Sequence, residues 1–355
     1  SSESSSSEKK GLYKHLLSGV SYMLPLVISG GILIALAFLV DTLSGNGGAG
    51  AEYGSKAPLA KMLKDIGGQA FGLFVPVLAG YIAYSISERA ALAAGLVAGA
   101  IASAGGSGFI GALLGGFLAG YVVQGLVKAL SGMPRSLSGL KMILLYPVLS
   151  VLITGVAMVL VINPFAAIIN NGLNAWLNGM SGSSAVLLGA VLGGMMAIDM
   201  GGPVNKAAYV FGSGTLAATM TSGGSLPMAA VMAGGMVPPI AIALASTLFK
   251  NKFTAQEREA GLTNYIMGFS FITEGAIPFA AKEPVKVISS CVIGAAIAGG
   301  LTQFWSVSAP APHGGIFVIP AMPSVHSAIF FIVSIAIGAV ISGVILGILR
   351  GKKIN

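Results

Sequence analysis

Few residues of this chain are of types that do chemistry, and those few stand in contexts broken by glycine and proline. Glu274 lies in Phe-Ile-Thr-Glu-Gly-Ala-Ile-Pro-Phe at 271–279, Asp199 and Lys206 bound Asp-Met-Gly-Gly-Pro-Val-Asn-Lys at 199–206, and His313 lies in Ala-Pro-His-Gly-Gly-Ile at 311–316. An ionised carboxylate only accepts hydrogen bonds, so Glu274 can grip two adjacent hydroxyls of a sugar, which no apolar side chain can do. The blander alternative is a protonated Glu274 that ties down its own backbone. A neutral imidazole at His313 offers one donor and one acceptor to a hydroxyl pair, or it is a plain loop histidine.

Asp199 and Lys206 admit two readings. They can pair across the break and close a structural turn, or the break can offer a polar ligand the freed backbone of Gly201 and Gly202 with the side chain of Asn205. In the second reading Lys206, with Asp199 beside the break, supports an incoming phosphoryl group. Thr273 and Gly275 flank Glu274 and Gly314 follows His313, which completes the substrate-binding candidates. His15 and His326 sit at the ends of apolar stretches and read as interface-facing. Asp199, Glu274 and His313 belong to separate elements without ligand spacing, so no resident metal is expected. The single cysteine, Cys291, lies inside an apolar run and reads as a buried bystander, excluding a disulfide framework. No Gly-x-x-x-x-Gly-Lys-[Ser/Thr] loop occurs, so energy must come from an ion gradient or a partner.

The elements that carry these residues are membrane helices. Of 355 residues 55% are hydrophobic and 8% charged, against about 25% charged in a soluble domain. Apolar stretches of roughly 20 residues recur, as a bilayer crossing requires. Ten spans are expected near 20–40, 68–86, 90–107, 109–127, 142–162, 183–199, 204–222, 226–249, 287–305 and 325–349. Many of the 52 glycines sit within these runs, where small residues let helices approach. The fold class is therefore an all-α polytopic membrane protein. The net charge of +8 is not clustered as nucleic-acid binding would need.

Charge placement orients the spans. With both termini cytoplasmic, fifteen of the 19 basic residues fall in cytoplasmic segments, Lys56, Lys61 and Lys64 fall outside, and Lys206 is left at membrane depth. The run 265–281 has Arg258 before it and Lys282 after it, so both flanks should be cytoplasmic and the run should be a re-entrant hairpin with Glu274 at its tip. Prolines and glycines at 307–323 suggest a second hairpin from the opposite face. Residues 163–184 read as an external interfacial helix or loop joining two halves. The division is 1–15 polar tail, 16–180 first membrane domain, 181–350 second membrane domain with the chemistry, and 351–355 cytoplasmic tail. The serine-rich start resembles the end of a linker from a preceding domain.

The stretches 199–209 and 272–279 together resemble the fructose-specific enzyme IIC of the bacterial phosphoenolpyruvate-dependent sugar phosphotransferase system, and the similarity runs from about 16 to 352. The resemblance implies a homodimeric, elevator-type transporter in the bacterial cytoplasmic (inner) membrane, its first half the dimer interface and its second the transport domain. It implies that fructose is bound and presented to a phosphocysteine on a separate IIB domain, charged by an upstream IIA/HPr chain, giving fructose 1-phosphate and no need of a cofactor. The chain would then be the membrane subunit of a protein-phosphohistidine–sugar phosphotransferase. The family's sugar-contacting glutamate maps onto Glu274, and its second motif onto 199–206. The alternative is a proton-coupled secondary sugar transporter that uses Asp199 or Glu274 as a relay.

Overall fold

The computed structural model describes residues 2–46, 54–180, 182–201, 203–219 and 224–353. Gly202 is outside the described residues. In chain order the helices are α1 (Ser2–Leu43), α2 (Pro58–Ser87), α3 (Arg89–Ala104), α4 (Gly108–Ala129), the single turn α5 (Ser138–Leu140), α6 (Tyr146–Ala157), α7 (Asn163–Gly179), α8 (Ser183–Ile198), α9 (Pro203–Thr219), α10 (Leu226–Leu248), α11 (Ala255–Phe269), α12 (Ile277–Lys282), α13 (Pro284–Phe304) and α14 (Val325–Leu349). Among the described residues the only β-pairing is an isolated bridge between Ser225 and Ala309.

Among the described residues seven helices are long and apolar enough to cross a membrane: Gly11–Asp41, Pro58–Ser87, Gly108–Ala129, Arg135–Ile169, Leu226–Leu248, Pro284–Phe304 and Val325–Leu349. Each coincides with an expected span. The expected spans at 90–107 and 183–199 fall on α3 and α8, of 16 residues each, and 204–222 falls on α9, of 17. At 1.5 Å per residue these three reach about 25 Å, short of a hydrocarbon core of about 30 Å.

The segment 163–184, expected as a helix or loop, opens with helix α7. α7 runs on from α6 through a π-type turn at Met158–Ile162, where Asn163 N–H bonds the Met158 carbonyl. Pro164 has no N–H to give the Leu160 carbonyl, and the wide turn stands directly before it. Residues 163–179 are thus helical, one of the two forms expected, and the apolar span runs into them as far as Ile169.

The chain forms two compact units, residues 1–30 with 68–178 and residues 31–67 with 179–355. The later boundary lies beside residue 180, but residues 31–67 group with the second unit. In the first unit, Ala83, Ala91, Ala94, Ala119 and Val123 form a buried cluster. A Cβ at Gly95 would stand 2.8 Å from the Ala79 carbonyl, and one at Gly116 the same distance from it. Such close approach replaces the hydrophobic drive that lipid cannot supply.

The second unit is built around α10, whose middle is almost wholly enclosed. α8, α11, α13 and α14 pack around it. α8 meets α13 backbone to backbone: a Cβ on Gly193 would collide with the Ala295 carbonyl. The starts of α10 and α14 are capped by Ser225 and Ser324, which accept from Met228 N–H at 3.0 Å and Ser327 N–H at 3.1 Å.

Candidate functional site

All described candidates lie in the second unit. The chain leaves α8 at Ile198 and turns through Met200 (φ 51°) and Gly201 (φ 121°), both left-handed, before α9 begins at Pro203. Proline at a helix start has no donor to lose. The next two N–H groups, of Val204 and Asn205, donate to Asp199 Oδ2 at 2.7 Å and Oδ1 at 3.0 Å. Asp199 thus caps α9 with both oxygens and its carboxylate lies against the positive helix end. Of the two readings of Asp199, the pair with Lys206 does not form: the carboxylate takes these two N–H groups and Lys206 turns to Glu274.

Asn205 is buried, and its amide donates to the Met196 carbonyl at 3.0 Å, a group that the end of α8 leaves without a helical partner. That bond braces the break. Lys206, one residue on, points elsewhere: its Nζ lies 3.8 Å from Glu274 Oε1.

Glu274 sits in a 3-10 turn, Thr273–Ala276, between α11 and α12. The placement of this turn is explained by α10. Pro239 lacks the N–H that would bond the Gly235 carbonyl, and the buried Thr273 hydroxyl takes that carbonyl at 2.7 Å. Thr273 is therefore an anchor, and the adjacent Glu274 is left outward with its side chain 48% exposed. Gly275 lies so close to Asn264 Oδ1 and Met267 that any Cβ would collide. On the other side a Cβ at Gly201 would stand 3.0 Å from Glu274 Oε1. The α8–α9 break and the α11–α12 turn thus meet at one carboxylate.

His313 approaches the same turn through Phe271. The two rings are 4.9 Å apart between centroids, and Phe271 is also 6.2 Å from Tyr209. Phe271 has φ 64°, left-handed and strained for a bulky residue, and its ring fills the space left open at Gly235. His313 Nδ1 accepts from Gly314 N–H at 2.8 Å. A ring nitrogen that accepts carries no proton, so the neutral ring keeps only its Nε2–H to offer. The expected donor–acceptor pair is reduced to one donor. Gly314 (φ 118°) and Gly315 (φ 58°) make the turn, and Gly315 abuts the backbone of Phe269 and Phe271.

The other histidines are occupied elsewhere: His15 Nδ1 lies 2.6 Å from Ser85 Oγ, and His326 Nε2 lies 2.8 Å from the Trp305 carbonyl. Cys291 is buried. Among the described residues no three His, Cys, Asp or Glu side chains gather as metal ligands would.

The profile of the family described as "Phosphotransferase system, EIIC" matches residues 17–294. The chain belongs to this EIIC family. Over 339 residues it is 50% identical to the PTS system fructose-specific EIIABC component of Bacillus subtilis, covering 95% of this chain and 52% of that one. Over 334 residues it is 53% identical to the fructose-specific EIIB'BC component of Rhodobacter capsulatus, 94% and 56% of the two chains. The fructose permease IIC component of Bacillus amyloliquefaciens is 52% identical over 281 residues, 79% of this chain and 90% of that one. The chain thus spans about half the length of the EIIABC and EIIB'BC relatives. A solved transporter, ChbC, the IIC component of an N,N'-diacetylchitobiose-specific phosphotransferase system, superposes with a TM-score of 0.49 at 14% identity over 95% of this chain and 93% of that one.

In this EIIC chain the arrangement offers an accepting carboxylate beside a cation, at a backbone break, with the buried rings of Phe271 and Tyr209 packed behind it. Phe271 was not foreseen, since its strained backbone leaves no mark in the sequence. Tyr209 closes the 199–209 motif, and its place in that motif was the available signal.

Proposed function

We propose that the chain is a fructose permease of the phosphotransferase system, which binds fructose, carries it across the bacterial cytoplasmic membrane and presents it to a phosphorylated IIB domain. The observation that carries this reading is Glu274, outward at the α11–α12 turn, 3.8 Å from Lys206 Nζ and against Gly201. Its two oxygens accept from neighbouring sugar hydroxyls. The names of relatives about 50% identical support fructose as the sugar, and the EIIABC and EIIB'BC relatives, of which this chain matches about half, support a IIB partner.

In this mechanism Asp199 holds the α8–α9 break rigid and so fixes where Lys206 and Gly201 meet Glu274. Lys206 offsets charge as the phosphoryl group passes from the IIB phosphocysteine to a sugar hydroxyl. The phosphorus–sulfur bond breaks with its electron pair going to the IIB cysteine as thiolate, a phosphorus–oxygen bond forms to the sugar hydroxyl, and the hydroxyl proton passes to that thiolate or to water; fructose 1-phosphate is released as an anion that cannot return. His313 contributes Nε2–H, and Thr273, Gly275 and Gly314 shape the site. IIA and HPr recharge IIB. The 265–281 and 307–323 segments act as re-entrant hairpins in a ten-span topology with cytoplasmic termini, and a homodimer built on the first domain lets the second move as an elevator.

The test uses inside-out vesicles containing the chain. Fructose phosphate should form only when phosphorylated IIB is added. Fructose transport driven by a pH gradient without IIB would overturn the reading in favour of a proton-coupled carrier.

A further inference from the structure

The segment from α11 to α12 carries Glu274 at its turn, and its two ends return to one guanidinium. Glu257, in the first turn of α11, spends Oε1 on the Thr254 N–H at 2.9 Å, in a capping box with Thr254. Its Oε2 accepts from Arg350 Nη2 at 2.8 Å. Glu283, at the junction of α12 and α13, places Oε2 3.1 Å from Arg350 Nε, an ion contact off hydrogen-bond alignment, and Oε1 3.4 Å from Lys353 Nζ. The Arg350 and Glu257 side chains are only 3% and 6% exposed.

The guanidinium is held on every side. Its carbon stands 4.2 Å above the Phe253 ring, and Phe253 meets Phe279 of α12 edge-on at 6.3 Å. Lys252 Nζ donates to the carbonyls of Gly347 at 3.1 Å and Arg350 at 2.6 Å, which fixes the end of α14 from which Arg350 projects. Lys353 N–H donates to the Asn251 carbonyl at 2.8 Å, tying the same strand of chain to the loop before α11.

A helix, a break and a short helix have many ways to splay. Only Thr273 on Gly235 holds the turn itself by a side-chain hydrogen bond among the described contacts. We propose that Arg350 is a positioning residue for sugar binding, a clasp that joins Glu257 and Glu283 and thereby holds the two legs of the segment at the spacing that sets Glu274 against Gly201. The fork of arginine reaches two carboxylates with separate nitrogens, which a single ammonium does not. The proposal rests on Glu274 as the sugar contact.

The experiment uses the 355-residue chain in lipid nanodiscs, as wild type, Arg350→Lys, Arg350→Gln, Glu283→Gln, the Arg350→Gln/Glu283→Gln pair and Glu274→Gln. Fructose affinity is measured by titration of the monodisperse folded fraction, and hydrogen exchange is followed by mass spectrometry over 255–283. Arg350→Lys retains the charge and stays measurable if Arg350→Gln does not fold. Fructose binding per folded molecule should weaken about tenfold in both Arg350 variants. The Glu283→Gln loss should be smaller and not additive with Arg350→Gln, and exchange at 270–276 should quicken. Unchanged affinity per folded molecule together with exchange confined to 255–258 would overturn the clasp and leave Arg350 a stabilising residue only. If Glu274→Gln alone leaves affinity unchanged while the Arg350 variants still quicken exchange at 270–276, the sugar reading of Glu274 fails and the clasp stands. If Glu274→Gln weakens binding and Arg350→Lys does not, the clasp fails and the sugar reading stands.

Discussion

The two ends of the 255–283 segment use acidic and basic side chains in opposite ways. At its base Arg350 meets Glu257 at 2.8 Å, the two side chains 3% and 6% exposed, and reaches the half-buried Glu283 at 3.1 Å. At its turn Glu274 and Lys206 stand 3.8 Å apart, 48% and 22% exposed. Breaking a buried pair strands a charge and costs about 3–5 kcal/mol, whereas an open pair is worth about 1 kcal/mol or less. The difference teaches which end holds and which end engages: a loose pair can be exchanged for the hydroxyls of a ligand at little cost, and a dry one cannot.

The comparison breaks if the base tolerates what the turn tolerates. The largest expected effect is Glu257→Ala, which leaves one Arg350 partner and removes the side-chain half of the α11 capping box, lowering stability by about 3 kcal/mol or more. Thermal unfolding in detergent checks it, and a shift no larger than that of Lys206→Met would remove the distinction. Lys206→Met should leave stability and fructose affinity nearly intact yet slow phosphoryl transfer from IIB, by about 10- to 100-fold if one charge contact is lost in the transition state. Single-turnover kinetics with phosphorylated IIB measures this, and equal losses in binding and transfer would mark Lys206 as structural.

Smaller effects sharpen the turn. Gly201→Ala must hold φ 121° and crowd Glu274, so fructose affinity should fall by a factor of about 5 to 10 with a stability loss of about 1 kcal/mol. The smallest effect is pH-dependent. Although burial pushes the Glu257 carboxyl upward, the Thr254 N–H and Arg350 outweigh it and hold its pKa below the ordinary 4.5. A depressed carboxylate stabilises the fold above its unfolded pKa and loses that contribution as pH falls through the folded value. Unfolding temperature should therefore drop on acidification below about pH 4.5, and the drop should shrink in Glu257→Gln.

Much of this was legible in the sequence because lipid makes charge conspicuous. Glu274 stood out as the one acid in its apolar run, and the 199–206 motif announced a helix break before any coordinates. The partners of those residues were not legible. Whether Asp199 meets Lys206 or the α9 backbone depends on which way two left-handed residues turn the chain, and Lys206 finds an acid 68 positions away. Arg350 read as one more basic residue at a helix end, and Glu257 and Glu283 drew no notice, since charges in polar segments look alike until the fold brings them together. The link from Pro239 to Thr273 through a freed carbonyl is invisible for the same reason. The bounds of α3, α4 and α8 were read to within about three residues, whereas α1, α2 and the helix through 142–162 run well past their expected spans, because hydropathy marks an apolar run and not where a helix stops.

The most direct test is fructose titration of Glu274→Gln against wild type in nanodiscs, with unfolding temperature recorded on the same samples. Losing one charge-assisted hydrogen bond should weaken binding by about 1.5–3 kcal/mol, roughly 10- to 150-fold, while a half-exposed side chain leaves the unfolding temperature nearly unchanged. Wild-type affinity with a lowered unfolding temperature would contradict the account, because Glu274 would then hold the fold and not the sugar.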